Sequence, residues 1–520
     1  MVKPTLSRIF QGLFFASFVW IYFSVMFTNS GDKPWLSILL GAVMLATGIG
    51  IAYFCKKIVS KWKPKVIHGI FAGISVIILA LLLYCSFSLR AMYTWDANSV
   101  YKAAIAPIIG EQLPYNYFAT YPNNIFLFLI FKVFYKVIFA ITGSTDIIYI
   151  VLLNAVVTFI AIIFIYLTAV KLWGPHMGLF TGIVCLFFAP FYVHVAYYYT
   201  DTFSLPFIII PIYLYLCALN SKKAVSKYIL FISAGIILTL GFKLKATIAI
   251  VLVAMFIHLF LSQKILTALK YTGVMAASCI IIFFSYNAVV NQLNIVSEEE
   301  AYAQQMPYTH WLMMGLKGEG AWLEDYGGFN AQDVEYTLSF PNIDKKTDAT
   351  IREIKKRVSE YGLTGLLQHW TNKAVHNTWG DGTYFIFREG RTQPETDSKL
   401  WDFVLTTGKY YDIFYYYCQG FHLAVLTLLM ISLLIGIKKG IVNGTLLFKL
   451  AIYGLFLFLL IWETRSRYVY GFTPLLLLIA VDTCKELVDI NFKNLKDKFI
   501  LSKKHLFSKN KLEKQSQAKN

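Results

Sequence analysis

Apolar runs about as long as a bilayer is thick recur from one end of the chain to the other. They cover residues 8–28, 35–54, 66–87, 146–170, 177–196, 203–219, 228–242, 246–262, 271–290, 413–436, 446–462 and 469–484. A helix rises about 1.5 Å per residue, so about 20 residues cross a hydrocarbon core of about 30 Å. Each run predicts one spanning helix. A thirteenth run, 124–141, carries Lys132 and Lys136 on one helical row with Asn124 and Phe128. Charges at mid-bilayer depth are costly, whereas a helix lying in the interface turns them toward water or headgroups. The expectation is an interfacial helix there.

Charge along the connections supports that choice. If 124–141 does not cross, the N-terminus, the basic connections 55–65, 171–176, 220–227, 263–270 and 437–449, and the lysine-rich tail 485–520 share one side. Asp32, Asp96, Glu111, Asp146, Asp201 and Glu463 then fall on the other. Basic connections stay cytoplasmic, so both termini are expected inside a bacterial cytoplasmic membrane and the carboxylates outside. The expected fold is an all-α polytopic membrane protein of about 12 spanning helices with one large extracellular, α-containing loop module. Its parts are two leading helices (1–65), a spanning module (66–290) with a first exterior loop (88–145), an exterior module (291–412), C-terminal spanning helices (413–484) and the tail.

Composition fits this picture: 57% of residues are hydrophobic and 15% charged, against about 25% charged in soluble domains. The net charge of +18 does not indicate nucleic acid, because the basic residues are scattered through short connections and form no compact basic domain. The tail reads as a solvated segment drawn to anionic lipid. The exterior module differs, holding most of the chain's 29 acidic residues. Within it, 347–370 predicts a helix with Ile351, Ile354 and Val358 on one face. Gly318-Glu-Gly and Tyr326-Gly-Gly-Phe read as loops. None of the seven cysteines falls in 291–412, which excludes a disulfide framework or a Cys-based zinc site there. His369 and His376 fit no zinc spacing. The run 9–28 follows Lys3 and Arg8 without a small-residue cleavage signature, so a retained helix is expected. There is no internal repeat, no Walker loop, no dinucleotide glycine fingerprint and no hydrolase elbow.

Chemistry is expected where outer carboxylates and cations gather. Asp96 (Tyr93-Thr-Trp-Asp) and Asp201 (Tyr197-Tyr-Tyr-Thr-Asp) each follow a helix mouth rich in aromatic residues. A carboxylate there can take a proton from a hydroxyl or hold a divalent metal; the same positions suit helix-end charges. Glu463, Arg465 and Arg467 form a dense cluster between two outer helix ends. Arginine's planar fork fits phosphate, and headgroup anchoring with a Glu463–arginine pair is the plainer alternative. Lys243 and Lys245 make a second basic site, equally open to snorkelling. Tyr93, Trp95, Tyr101, His310, Trp311, Trp379, Asp381 and Glu463 are candidate substrate contacts, because aromatic faces stack on sugars while polar groups orient them. The aromatic and Met-rich strings also suit a loop docking on a membrane surface.

The layout resembles the GT-C glycosyltransferases, most closely the branch near protein O-mannosyltransferases and aminoarabinose transferases (family 39-like). Residues 66–290 follow that plan. Asp96 matches the first-loop Asp, Pro122-Asn-Asn-Ile through Ala140 the interfacial helix, and Asp201 the second-loop carboxylate. Tyr121-Pro-Asn-Asn, His310-Trp-Leu-Met-Met-Gly-Leu, Thr378-Trp-Gly-Asp-Gly-Thr and Glu463-Thr-Arg-Ser-Arg-Tyr are similar to strings in Gram-positive envelope proteins. Two helices precede the shared module here, and Trp95-Asp-Ala stands where some relatives have Asp-Glu, so the metal question stays open. The resemblance implies inverting transfer of a sugar from an undecaprenyl-phosphate donor to a wall or lipoteichoic glycopolymer. Asp96 would be the base, Asp201 its helper, and Arg465 and Arg467 the phosphate partners. No cofactor beyond a possible divalent metal is implied. A lipid-linked saccharide flippase needs the same arginines without the base, and an inactive assembly partner needs neither. Transporters show repeats and mid-membrane breaks, and neither is evident in the sequence.

Overall fold

The computed structural model describes residues 2–28, 32–112, 115–318, 326–385, 387 and 392–490; the tail beyond 490 and Glu319-Gly320 lie outside them. Helices α1 (Val2–Thr28), α2 (Pro34–Lys57) and α3 (Pro64–Ser88) lead the chain. Proline opens α2 and α3, where its missing N–H has no helical partner to lose. Strand β1 (Ala91–Tyr93), α4 (Asp96–Ile109), α5 (Tyr115–Thr120) and α6 (Ile125–Thr142) follow. Next come α7 (Ile148–Trp173), α8 (Pro175–Phe187), α9 (Pro190–Val193), α10 (Thr200–Asn220), α11 (Ala224–Leu244), α12 (Ala249–Ser262) and α13 (Ile265–Gln292).

The segment after α13 holds α14 (Glu298–Gln304), α15 (Tyr308–Gly315), α16 (Ala331–Leu338), α17 (Ile343–Asn377), β2 (Thr392–Pro394) and α18 (Trp401–Val404). Then α19 (Tyr411–Lys439), α20 (Gly444–Ile461), α21 (Arg467–Tyr470) and a last helix α22 (473–490) close the described chain. Every expected span holds a helix. Ten helices among the described residues are long and apolar enough to cross a membrane, while α12 is shorter. The two short strands pair antiparallel, Ala91 opposite Pro394, and tie the start of α4 to the chain before α18. Helix α17 overruns the expected 347–370 at both ends and breaks at Gly362, whose φ of +57° is left-handed.

The contacts around α6 (Ile125–Thr142) bear on its placement. Arg467 reaches both the Trp95 ring, beside Asp96, and the Asp201 carboxylate, so Asp96 and Asp201 lie at one end of the bundle. The chain between them must therefore cross an even number of times. With α7 running away and α8 and α9 together returning, that number is reached without α6. Its contacts agree: Phe126 meets Phe207 and Tyr286, Phe131 meets Phe203, and Tyr135 bonds the Asp146 carbonyl. All are near that same end.

The expected single span over 177–196 is corrected. Helix α8 stops at Phe187, and α9 continues at a bend of 59°. Pro190 has no N–H to offer the Leu186 carbonyl, and the Tyr192 hydroxyl donates to it instead at 2.9 Å. Beyond α9, the buried Asn154 amide on α7 donates to the carbonyls of His194, Val195 and Tyr197. Irregular backbone at membrane depth requires such internal partners.

A second irregular segment, 378–385, enters the bundle. Trp379 packs edge-on against Phe18 and lies near Phe456, and Phe18 is about three turns from the end of α1. Gln419 on α19 donates to the Gly380 carbonyl and accepts from the Gly382 N–H; His422 meets the Trp379 carbonyl at 2.7 Å. Gly382 is required, because a Cβ there would sit 2.6 Å from the Cys418 carbonyl. Tyr384 and Phe385 adopt left-handed φ of +54° and +64°, a strain that the surrounding bonds must hold.

Candidate active site

Asp96 opens α4, where the helix N-terminus favours a negative charge. Its carboxylate accepts the Tyr117 hydroxyl at 2.9 Å and the Tyr199 hydroxyl at 3.3 Å. Burial first, and the Asp96 charge next, push both phenols well above their ordinary range. They remain protonated donors. Asp96 is half-buried, whereas Asp201 and Glu463 are 1% and 4% exposed, so Asp96 is the carboxylate of this group that a substrate can reach.

Asp201 is closed by two cations. Lys245 bonds one carboxylate oxygen, and Arg467 Nη1 stands 3.4 Å from the other. Asp201 thereby holds Lys245 and Arg467 in place. Arg467 also donates to the Tyr197 hydroxyl at 2.7 Å. Its guanidinium lies 5.1 Å from the Trp95 ring, 5.7 Å from Tyr199 and 5.2 Å from Tyr468, a cage that holds the cation by its π-faces.

Behind this layer lies a buried charged core. Glu463 accepts from Tyr468 at 2.6 Å, and burial raises its carboxyl despite the pull of Arg467, Arg465 and Lys373. Arg465 is 2% exposed, meets Asn377 and covers the Phe385 ring. Lys373 donates to the carbonyls of Gly315, Leu460 and Trp462 at 2.9, 3.1 and 2.5 Å, the negative ends of α15 and α20. Asp381 accepts from the Thr383 and Phe385 N–H groups and from Ser466 Oγ, fastening the inserted segment to the arginine loop. Four basic side chains, Lys245, Arg465, Arg467 and Lys373, thus stand among four carboxylates, Asp96, Asp201, Asp381 and Glu463.

The remaining expected residues divide. Trp95 and Glu463 belong to the site, and Trp311 borders it, its carbonyl accepting the Glu463 N–H and its ring near Tyr121. Lys243 pairs instead with α13, bonding Asn287 at 2.7 Å over Phe283. Trp379 and His310 are fully buried, the first in the bundle and the second against Thr337 at 2.7 Å. Neither presents a face to a sugar. Tyr93 is buried behind Trp95, Tyr197 and Tyr198, Tyr101 ties α4 to the Thr145 carbonyl, and Asp381 is a clasp. Sequence reasoning missed Tyr117, Asn124, Tyr199 and Lys373; of these Asn124 and Tyr199 lay in strings that drew attention. Among the described residues no three His, Cys, Asp or Glu side chains gather as a metal site. With Asp201 already saturated by cations, the donors present do not fit a divalent metal bridging the two carboxylates.

A family described as conserved hypothetical integral membrane protein matches residues 1–487. The chain belongs to that family. No curated protein matches it. Among solved structures, the archaeal oligosaccharyltransferase AglB from Archaeoglobus fulgidus, in complex with an inhibitory peptide and a dolichol-phosphate, superposes with a TM-score of 0.41 at 11% identity. The match covers 81% of this chain and 51% of AglB, so this integral membrane protein spans about half of AglB's length.

Proposed function

We propose that this protein is a membrane glycosyltransferase that moves a sugar from a polyprenyl-phosphate donor to a hydroxyl of an extracytoplasmic envelope glycopolymer. One observation carries the reading: the Tyr199 hydroxyl stands 3.3 Å from the accessible Asp96 carboxylate and its ring also lies against the Arg467 guanidinium. A base and a fixed cation thus share one wall. In the reaction, an acceptor oxygen attacks the anomeric carbon and its proton passes to Asp96. The bond from that carbon to the phosphate oxygen breaks, and the electron pair stays on the phosphate. Arg467 and Lys245, already oriented by Asp201, face the charge that develops there, and such preorganised charge stabilises a transition state at little reorganisation cost. The undecaprenyl carrier, the wall or lipoteichoic acceptor and the cytoplasmic placement of both termini belong to this proposal.

The test compares glycan composition of wall and lipoteichoic fractions from cells with the protein, without it, and with Arg467→Gln. Loss of one sugar in both altered strains, at normal protein level, is expected; unchanged glycans in both refute the proposal. The flippase reading draws on one observation, since the α8–α9 break and the inserted segment are the discontinuities common in transporters. Here those breaks are filled by Asn154, Gln419 and His422 bonding to backbone, which favours a fixed scaffold.

A further inference from the structure

Asn124 opens the way into α6 and is 1% exposed. Its side-chain N–H donates to the Tyr117 hydroxyl oxygen at 2.7 Å, and its carbonyl accepts the Tyr199 hydroxyl at 3.0 Å. Tyr117 and Tyr199 are the same two phenols that reach Asp96. The four side chains form a closed ring.

Each phenol has one proton to give. Tyr117 receives the Asn124 N–H on its oxygen, so its own proton points at Asp96. Tyr199 is closer to the Asn124 carbonyl than to Asp96, 3.0 against 3.3 Å, so its proton is drawn mainly to Asn124. The amide offers a donor on one side and an acceptor on the other. Deepening the reading of Asp96 as base, we propose that Asn124 is a positioning residue that aims the Tyr117 proton at the Asp96 carboxylate and draws the Tyr199 proton away from it. Of the two phenol bonds Asp96 then keeps one strong one, which leaves it more basic than two would. Tyr121 also faces the Asp96 charge, and Arg467 lies on the far side of Tyr199; neither is altered by the substitutions below.

The ring predicts shifts of opposite sign. In Asn124→Leu the Tyr199 proton has Asp96 as its remaining acceptor, and a second bond to the charged form lowers the Asp96 midpoint. The lost polarisation of Tyr117 acts the other way but is a fraction of one bond. In Asn124→Asp a second carboxylate competes for both phenol protons and repels the Asp96 charge, raising the midpoint by about one pH unit or more.

The readout is independent of transfer: the purified full chain is treated with dicyclohexylcarbodiimide, which adds to protonated carboxyls, and labelling of the Asp96 peptide is followed by mass spectrometry against pH. A downward shift for Asn124→Leu, an upward shift for Asn124→Asp, and cancellation of the downward shift in Asn124→Leu combined with Tyr199→Phe are expected. Equal midpoints, or shifts of the same sign, overturn the proposal. Should the Asn124 variants not fold, Tyr199→Phe alone must leave the midpoint within a few tenths of a unit, and Tyr117→Phe must raise it. Equal shifts from the two phenylalanine variants overturn the ring. If the shifts appear while the wild type transfers no sugar, the ring stands and the glycosyltransferase reading fails.

Discussion

Replacing Lys373 with methionine should remove a pH dependence that the wild type shows. Lys373 is fully buried, and burial lowers its ammonium from the ordinary 10.5 to about 7, with Glu463 pulling it up. In the unfolded chain the same amine titrates near 10.5. Between those values the unfolded chain holds a proton that the folded one has released, so wild-type stability rises with pH across this window. The full difference corresponds to about 5 kcal/mol, or about 1.4 kcal/mol per unit, present above 10.5 and lost as pH falls toward 7. Lys373→Met lacks this slope. It also strips donors from three helix-end carbonyls, at about 1–3 kcal/mol for each buried group left without a partner. Thermal melting of the detergent-purified chain is followed by tryptophan fluorescence at several values from pH 7 to 9.5. The gap between wild type and variant should widen as pH rises. Parallel curves would show that Lys373 titrates normally and that the charged core is wetter than its geometry implies.

Three further outcomes follow from the packing and the charges. Gly382→Ala places a Cβ against the Cys418 carbonyl and His422, so melting should fall by the equivalent of about 1–3 kcal/mol or more, with new protease cleavage at 378–385; an unchanged pattern contradicts insertion of this segment. Asn154→Leu removes the amide that donates to the carbonyls of His194, Val195 and Tyr197, the first and last of which keep other donors, and should destabilise by about 1–3 kcal/mol, read as a lower melting temperature. Arg467→Gln should reduce transfer by about 10²–10³-fold, the usual loss when one charge-stabilising donor is removed, while Arg467→Lys recovers little because the aromatic cage fits a planar guanidinium.

The spans were legible because length and hydropathy are local properties. The interfacial reading of α6 came from Lys132 and Lys136 and the charge of the connections, and the contact between Arg467 and Trp95 is consistent with it. The break after α8 was not read, although Pro190 marks it, because the hydroxyl and amide that make it tolerable come from Tyr192 and Asn154. Thr378-Trp-Gly-Asp-Gly-Thr looks like a surface loop, since glycine and aspartate usually mean exposure. It lies in the bundle because Gln419 and His422, about 40 residues away, satisfy its backbone. Asp96 drew attention from its position at a helix mouth. The neutralised state of Asp201 was hidden, because its partners Lys245 and Arg467 are separated from it by 44 and 266 residues, and no local pattern announces such a pairing.

The central claim is that Asp96 removes the acceptor proton beside a cation-held phosphate. Purified wild type and Asp96→Asn are reconstituted in liposomes with an undecaprenyl-phosphate sugar and an envelope glycopolymer acceptor, and release of undecaprenyl phosphate coupled to sugar transfer is measured. Wild type should transfer, and Asp96→Asn, with an unchanged melting temperature, should fall by about 10²–10⁴-fold. Transfer by Asp96→Asn at the wild-type rate would contradict the account.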